Sequence, residues 1–511
     1  MSLKNLIEFN NYFTNNSNSN SNLFNTSELK ININIQNFIG GEFVNSQSGL
    51  NIENINPATG RVYSTQPRSN LNDIKIAVEK AKQAFKSWSQ TTNEERSIIL
   101  NKIADGIEKN LSLLAKAESF DQGKPVWLAE SVDIPRAAQN FRFFAGQILY
   151  AQSEAFEQSG KSFNFSIRKP IGVAGLISPW NLPLYLLTWK IAPAIACGNT
   201  VICKPSEVTP MTAYLLCHIL KEAGLPSGVV NMVFGFGVEA GEALVAHPEV
   251  PLISFTGGTK TGQQLSMTAA PLIKKLSLEL GGKNANFIFA DANLEEAIST
   301  SVRSSFLNQG EICLCGSRIF VEQSIYPQFL SRFVDEVKKI KVGDPENKDN
   351  FLGALVSKSH MLKVKSYIEI AIKEGGVIET GNEKLELSEE FSKGYFMRPT
   401  VISNLTPESC LLNEEIFGPV VTVMPFEKED DVVTLNNKVD YGLSATLWTK
   451  DIQRIHRLAR QLEVGTLWVN TWMLRDLRVP FGGMKMSGVG REGGLHSLDF
   501  FSEITNVCVK Y

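Results

Sequence analysis

The sequence predicts an α/β protein with two largely parallel β-sheets, and three observations support this fold class. A chain of 511 residues is too long for one small core and favours two or three domains. Short β-branched runs alternate with helix-length segments, which is typical of parallel strands joined by crossover helices. The runs form two series, which favours two α/β domains. The first series is 171–177, 200–203, 229–234 and 252–255, and the second is 285–289, 317–321, 420–425 and 466–470.

Helices are predicted between Phe38 and the first strand series. The segment 72–88 places apolar residues at helical spacing on one face. Thr92 followed by Glu95 has the spacing of a capping box, in which each side chain accepts a hydrogen bond from the other residue's backbone amide. The pair therefore predicts that a second helix begins just after Thr92.

Residues 1–33 differ from the rest of the chain. Asn and Ser dominate positions 10–25 with no helical period, so we expect residues 1–33 to be a disordered tail. The segment contains no Arg, includes Glu8 and Glu28, and lacks a compact apolar stretch. These features argue against a mitochondrial presequence and against a secretory signal.

Composition excludes several classes of function. The net charge is −3, and no dense Lys/Arg stripe interleaved with aromatic residues is present, so no nucleic-acid partner is expected. No apolar run approaches the roughly 20 residues that cross a bilayer, so no membrane span is expected. Seven cysteines are few and odd in number, which predicts reduced thiols and a cytoplasmic protein. No metal site is predicted, because neither the CxC pair nor the histidines form a ligand cluster.

Three segments carry residues suited to catalysis. Cys313 follows a Gly turn and precedes a strand-like run, where a thiol can be exposed, although most cysteines are buried apolar residues. Glu279 lies between two leucines, so its pKa is expected to rise towards that of a general base; alternatively, backbone amides bind it at a strand end. Asn181 lies in a rigid bend between two prolines and could be an oxyanion donor or a structural turn residue.

Together these segments resemble the aldehyde dehydrogenase superfamily, and the likeness covers the whole chain except the Asn-rich tail. Further motifs in the same order strengthen it. They are 38–43 (FIGGEF), 56–60 (NPATG), 204–207 (KPSE), 255–259 (FTGGT), 414–419 (EEIFGP) and 480–483 (PFGG).

The resemblance implies roles for the three catalytic candidates. Cys313 would attack the aldehyde carbon, and the side-chain amide of Asn181 together with the Cys313 backbone N–H would hold the oxyanion. Hydride transfer to a nicotinamide would leave a thioester, which water activated by Glu279 would hydrolyse. The product is a carboxylic acid. A catalytically silent protein of the same fold is the alternative from another class.

The resemblance also implies NAD as cofactor. A helix beginning after Gly257 and Gly258 would direct its amides at a pyrophosphate, whereas the glycines at 235–241 miss the GxGxxG spacing by one position. A carboxylate at Glu207 would accept from both ribose hydroxyls and repel a 2′-phosphate, which favours NAD over NADP. The expected cofactor residues are Trp180, Lys204, Glu207, Gly257, Gly258, Glu415 and Phe417.

Substrate selection is predicted from two arginines. Arg475 lies in the loop before Pro480, and Arg136 lies on a helix that the family places at the mouth of the aldehyde tunnel. They could form a clamp for a substrate carboxylate; alternatively Arg475 or Arg478 pairs with Asp476. The loop resembles that of the muconic semialdehyde dehydrogenases, which oxidise carboxylated semialdehydes in tryptophan or aromatic-ring breakdown. A broad aliphatic, betaine or retinal-type specificity is the alternative.

The family fold implies a division of the chain into domains. A Rossmann-type NAD-binding domain is expected at 34–147 and 171–281, an α/β catalytic domain at 282–494, and a small β oligomerisation extension at 148–170 and 495–511. Pairing of that extension with another subunit would remove an open sheet edge, so a homodimer or homotetramer is expected.

Overall fold

The structure, a computed structural model, describes residues 33–511 and contains two large sheets. The first sheet has eight strands, and its five central strands are parallel. Their buried, apolar faces are covered by helices, as expected for a parallel sheet. In spatial order the strands are Gly488–Val489, Lys275–Glu279, Leu252–Thr256, Val173–Ile177, Thr200–Lys204, Val230–Met232, Asn37–Ile39 and Glu42–Val44.

The second sheet has seven strands, and all neighbours are parallel except the first pair. The predicted α/β class with two parallel sheets is confirmed, and each of the eight predicted runs contains a strand. In spatial order the strands are Val377–Thr380, Thr400–Ser403, Val420–Phe426, Arg318–Glu322, Ala285–Ile288, Ser444–Trp448 and Thr466–Val469.

Helices cover both sheets and form the region before the first sheet. Thr92 and Glu95 form the predicted capping box: the Glu95 amide donates to Thr92 Oγ1 at 3.2 Å, and the Thr92 amide donates to Glu95 Oε2 at 2.7 Å. The longer helices are Leu71–Trp88, Asn93–Lys109, Leu111–Gln122, Ile134–Leu149, Pro183–Ala196, Met211–Glu222, Thr259–Ala269, Leu294–Phe306, Tyr326–Lys338, Lys358–Lys373, Glu429–Asn437 and Ile452–Ala459.

A separate three-stranded antiparallel sheet forms the extension. Its central strand, Ser162–Pro170, pairs with Ala155–Gln158 on one side and with Ser502–Lys510 on the other. The C-terminal strand therefore joins the extension as the sequence suggests. Smaller sheets are formed by Ile33–Asn34, Arg61–Pro67 and Asn51–Asn56, and by Tyr441–Gly442 and Met484–Lys485.

The proposed domain boundaries fit this architecture in one place and cross it in another. Position 281/282 lies between the last parallel strand of the first sheet and Ala285, where the second sheet begins. Gly488–Val489, which falls in the predicted catalytic range, returns to pair with Lys275–Glu279 of the first sheet. The predicted tail at 1–33 lies outside the described residues except for Ile33, which pairs with Ser64. The domain division therefore stays a prediction.

Within the described range, no helix is both long enough and apolar enough to cross a bilayer. The cytoplasmic location stays a prediction.

Candidate active site

The candidate site begins at the carboxyl ends of the parallel strands of the first sheet. Asn181 follows Val173–Ile177, Lys204 ends its strand, Gly257 follows Leu252–Thr256, and Glu279 ends Lys275–Glu279. Carboxyl ends of neighbouring parallel strands meet at one edge, where open α/β sheets bind their ligands. Four predicted site residues, distant in sequence, are thus placed along this one edge.

Cys313 lies in a turn just before the second-sheet strand Arg318–Glu322 and is half-buried. Its backbone N–H has no acceptor in the described part of the chain. Burial raises the pKa of the Cys313 thiol, and the nearby carboxylate of Glu279 raises it further. The thiol therefore remains protonated at neutral pH until a base accepts its proton.

The side-chain amide of Asn181 is held against the same turn. Its Nδ2 donates to the carbonyl of Glu311 at 2.9 Å, which leaves the second N–H of that group for another acceptor. The backbone carbonyl of Asn181 accepts from Lys124 Nζ and from Asn308 Nδ2, each at 3.1 Å. The second N–H of the Asn181 side chain and the backbone N–H of Cys313 are both available as hydrogen-bond donors. Two such donors suit a developing oxyanion.

A buried cluster of charged side chains contacts the backbone of Asn181 through Lys124. The ammonium of Lys124 contacts Asp133 Oδ2 at 2.6 Å and Glu118 Oε1 at 3.8 Å, and all three side chains are buried. Burial raises the pKa of Glu118 to about 7. Removing one member would leave buried charge unpaired, which is strongly destabilising.

Glu279 fits a general base better than a structural strand-end residue. Its Oε1 is buried and accepts no hydrogen bond, and no backbone amide of the described residues donates to its carboxylate. Burial raises the pKa of Glu279 well above its ordinary value, and the charge of Glu492 raises it further. An unpartnered carboxylate with a raised pKa can accept a proton near neutral pH.

A second buried ion pair, Lys190 with Glu492, affects the pKa of Glu279. Lys190 Nζ contacts Glu492 Oε1 at 3.2 Å and donates to Ser254 Oγ at 2.8 Å. Trp189 Nε1 donates to Glu492 Oε2 at 2.7 Å. The positive charge of Lys190 lowers the pKa of Glu279, opposing burial and Glu492. The basicity of Glu279 therefore depends on burial first and then on neighbouring charges of both signs, with Arg475 and Arg491 lowering the pKa in the same sense as Lys190.

Four of the seven predicted cofactor residues lie at the carboxyl edge of the first sheet: Lys204, Glu207, Gly257 and Gly258. Lys204 Nζ pairs with Glu207 Oε2 at 2.8 Å, so the Glu207 carboxylate is held beside the end of the strand that Lys204 closes. Helix Thr259–Ala269 follows Gly258 without a capping side chain, which leaves its first amides for a phosphate. The buried Ser178 Oγ has no partner among the described residues and is available to a polar ligand.

Two further predicted cofactor residues, Glu415 and Phe417, contact Gly282 and Trp180. Glu415 Oε1 accepts from the Gly282 amide at 2.9 Å, and burial raises the pKa of Glu415. Phe417 packs edge-on against Trp180, with ring centroids 5.3 Å apart. The His360 ring contacts the carbonyl of Phe417 at 2.6 Å, and burial lowers the pKa of His360 to about 4, so this ring is neutral.

Arg136 and Arg475, the two predicted substrate residues, contact the same aromatic side chain. Both guanidinium groups lie over the Trp189 ring, each 5.9 Å from its centroid, and Arg475 Nη1 donates to the hydroxyl of Tyr185 at 3.2 Å. Neither has a carboxylate partner among residues 33–511, and Arg136 Nη2 is buried without a hydrogen bond. Asp476 pairs instead with Arg478 at 2.6 Å, so the alternative pairing applies to Arg478.

Sequence reasoning missed several residues that shape this site. Asn284 and Trp472 bind carbonyls of the thiol turn, and Lys190 and Glu492 set the charge around Glu279. Asn284 follows the LELGGK segment directly, which was the one available signal. No cluster of three or more potential metal-ligating side chains occurs in the described range.

Comparisons with known proteins agree with this geometry. The family model described as "Aldehyde dehydrogenase family" matches residues 43–507. The 2-aminomuconic semialdehyde dehydrogenases of Danio rerio and Homo sapiens are each 54% identical over 93% of this chain and 98% of their own. The 2-hydroxymuconic semialdehyde dehydrogenase of Pseudomonas sp. (strain CF600) is 45% identical over 93% of this chain and 99% of its own.

Solved structures give the same result. The NAD+ complex of an aldehyde dehydrogenase from Bacillus cereus superposes with a TM-score of 0.91 at 39% identity, covering 96% of this chain and 100% of that one. The chain belongs to the aldehyde dehydrogenase family, and the predictions of that fold, of NAD-dependent aldehyde oxidation and of the family resemblance are confirmed.

Proposed function

We propose that this enzyme oxidises a carboxylated semialdehyde, 2-aminomuconate 6-semialdehyde, to 2-aminomuconate in tryptophan breakdown. One observation carries the proposal: the guanidinium groups of Arg136 and Arg475 lie over the same Trp189 ring without an acidic partner in the described chain. The names of the most similar relatives support the same substrate class.

The proposed reaction begins at Cys313. Glu279 accepts the thiol proton, and the thiolate sulfur bonds to the aldehyde carbon. The Asn181 amide and the Cys313 N–H donate to the oxygen as it becomes negative. NAD bound at the sheet edge would supply the hydride acceptor, and transfer of hydride from the tetrahedral carbon would leave a thioester on Cys313.

Glu279 has a second role in hydrolysis. It accepts a proton from water while the water oxygen bonds to the thioester carbon, and the sulfur leaves as thiolate. The two oxyanion donors again hold the developing charge. The net reaction consumes aldehyde, NAD+ and water, and releases carboxylate, NADH and protons.

Physical chemistry favours an anionic substrate at the arginine pair. Burial lowers the pKa of Arg136, and the charge of Arg475 lowers it further, so the free site holds two cations that repel each other. A carboxylate relieves this repulsion and supplies the acceptor that Arg136 Nη2 lacks. A betaine aldehyde, which carries a positive charge, would meet two like charges.

The test compares two neighbouring arginines. Arg475→Leu removes one guanidinium of the pair, whereas Arg478→Leu removes a guanidinium paired with Asp476. We expect Arg475→Leu to raise KM for a carboxylated semialdehyde roughly 30-fold, because charge-assisted hydrogen bonds contribute about 2 kcal/mol. KM for an uncharged aldehyde of similar length should change less than threefold. Arg478→Leu should leave both values near wild type.

Equal losses on both aldehydes in the Arg475→Leu variant would contradict the clamp. A wild-type enzyme that shows no preference for the carboxylated aldehyde would support the broad aliphatic or retinal-type alternative instead. Both measurements follow NADH formation with the same enzyme preparation.

We also propose that Glu207 is the residue that selects NAD over NADP. The Glu207 carboxylate is half-buried and fixed by Lys204, so it is in place to accept from ribose hydroxyls. A 2′-phosphate would bring negative charge against it.

We also propose a homo-oligomer, either a dimer or a tetramer, assembled through the extension. Its outer strands, Ala155–Gln158 and Ser502–Lys510, each pair on one side only within the described chain. Phe156 and Ile504 are 63% and 53% exposed. Apolar side chains on open sheet edges favour pairing with another subunit.

A further inference from the structure

The side chain of Asn284 binds the thiol turn at two points. Its Nδ2 donates to the carbonyl of Cys313 at 2.7 Å and to the carbonyl of Cys315 at 2.9 Å. Its Oδ1 accepts from the backbone amide of Ser444 at 3.0 Å. Asn284 is 4% exposed, so these bonds are made out of water, where leaving them unmade is costly.

These bonds tie the turn to the second sheet. Asn284 directly precedes the strand Ala285–Ile288, and Ser444 begins the neighbouring strand, Ser444–Trp448. The thiol turn is therefore attached to the end of a rigid parallel sheet. Such attachment to a regular element is the support that a precisely placed catalytic group needs.

The orientation of the Cys313 N–H follows from this attachment. The peptide before Cys313 is fixed because the Cys315 amide donates to the Ile312 carbonyl at 3.0 Å. In a trans peptide the N–H points away from the carbonyl, so the Cys313 N–H points away from the interior of the turn. The peptide after Cys313 is fixed by Asn284. Both peptide planes that flank the thiol are thus held.

The packing around Gly282 shows how closely the turn lies against this segment. A Cβ at Gly282 would lie 2.7 Å from the carbonyl oxygen of Cys313 and 3.0 Å from Asn284 Oδ1. Trp472 Nε1 donates to the remaining carbonyl of the turn, that of Leu314, at 2.9 Å. The carbonyls of three successive residues, 313–315, are therefore all bound by side chains.

We propose that Asn284 is a positioning residue for the reaction: it holds the carbonyls of Cys313 and Cys315 so that the thiol and the Cys313 N–H face the substrate together. The proposal rests on the proposed role of Cys313 as nucleophile. Both polar atoms of the Asn284 side chain are bound to backbone groups, so Asn284 acts through the turn that it holds.

The chain offers a matched control two positions further on. Asn286 is 2% exposed, donates to Ser301 Oγ at 2.8 Å and accepts from Trp448 Nε1 at 3.1 Å. Like Asn284 it is a buried amide that joins neighbouring elements through both of its polar atoms. Unlike Asn284 it makes no hydrogen bond to the thiol turn.

The experiment compares Asn284→Ala with Asn286→Ala. Both should lower the midpoint of thermal unfolding, because each leaves buried polar partners unpaired. Only Asn284→Ala should lower kcat, by about 100-fold, since a displacement near 1 Å at a reacting centre has an effect of that order. Its KM should change less than threefold. The rate of Cys313 alkylation by iodoacetamide without cofactor should change in Asn284→Ala and stay at the wild-type value in Asn286→Ala.

Two results would overturn the proposal: equal loss of kcat in the two variants, or a kcat in Asn284→Ala within threefold of wild type. Asn284→Asp provides a second variant of unchanged volume. It keeps the acceptor for the Ser444 amide and loses the NH2 donor, so it should lose kcat as Asn284→Ala does, while Asn286→Asp should not. Cys313→Ala tests the underlying role separately, because full turnover in that variant would disprove the nucleophile itself.

Discussion

At the scale of single residues, the proposed chemistry depends on two groups whose pKa values burial raises. Cys313 stays a thiol and Glu279 becomes a stronger base, so proton transfer from the first to the second is less unfavourable than it would be for an ordinary carboxylate in water. Each raised pKa also reflects a neighbouring charge. The opposing charges of Lys190 and Glu492 should therefore affect the reaction rate through the pKa of Glu279, although neither side chain forms a hydrogen bond with the turn that carries Cys313.

This balance predicts opposite pH shifts in two variants. In the proposed mechanism ionised Glu279 is the base, so kcat should rise with pH through its raised pKa. The negative charge of Glu492 raises that pKa, so Glu492→Gln should move the rising limb of the pH–kcat profile to lower pH. Lys190 lowers the pKa, so Lys190→Gln should move the limb to higher pH. Shifts of both variants in the same direction would contradict this assignment.

At the scale of elements, the site is a property of strand ends and helix beginnings. Asn181, Lys204 and Glu279 lie at the carboxyl ends of strands of the first sheet. The turn that carries Cys313 is held instead at the amino ends of strands of the second sheet. Helix Thr259–Ala269 adds an uncapped amino end beside the same edge. Its amides and the positive end of its dipole favour a pyrophosphate.

A pair of substitutions at Gly258 separates helix stability from cofactor binding. Gly258 has a negative φ of −70°, and no atom lies within 4 Å of the position of an added Cβ, so side chains are tolerated there. Gly258→Asn and Gly258→Asp should both cap the helix and leave thermal stability without NAD unchanged or slightly raised. The charge of Asp should weaken NAD binding about tenfold relative to Asn. Equal dissociation constants for the two variants, measured by fluorescence titration, would argue against a pyrophosphate at this helix.

Prediction from sequence succeeded for the elements, whereas the roles of the motif residues stay predictions. Buried strands can be predicted because they are continuous apolar runs in the sequence. The Thr92 capping box can be predicted because its two residues have a fixed spacing. Cys313, Glu279 and Asn181 were found through ordered motifs. Asn284 was missed because its role depends on the register between two strands 160 residues apart, and no local pattern encodes that pairing.

The charged neighbours of Glu279 were also missed from the sequence. Glu492 and Lys190 lie far apart in the chain, and only the fold brings them together near Glu279. The strand Lys275–Glu279 was not predicted as a strand, because Lys275, Ser277 and Glu279 interrupt the apolar run. The clamp of Arg136 and Arg475 was predicted by resemblance, and the absence of an acidic partner in the described chain could be seen only in three dimensions.

At the scale of the whole molecule, the extension leaves apolar edges that a second copy would cover. Introducing lysine on an edge strand opposes pairing with another chain. We therefore expect the double variant Phe156→Lys, Ile504→Lys to sediment as a smaller species than wild type in analytical ultracentrifugation. Val238→Lys is the control, because Val238 is 79% exposed but lies outside the extension. An unchanged sedimentation coefficient in the double variant would place the subunit interface elsewhere.

The most direct test of the central claim is to find the acyl group on the enzyme. In Glu279→Gln the thioester should form slowly, because the thiol proton must pass to solvent, and should hydrolyse more slowly still. Prolonged mixing of this variant with NAD+ and the carboxylated semialdehyde should therefore give about one NADH per active site. Peptide mass spectrometry should then locate the acyl group on Cys313 and not on Cys315, its buried neighbour in the same turn. An acyl group on Cys315, or a burst of NADH without any acylated cysteine, would contradict the mechanism.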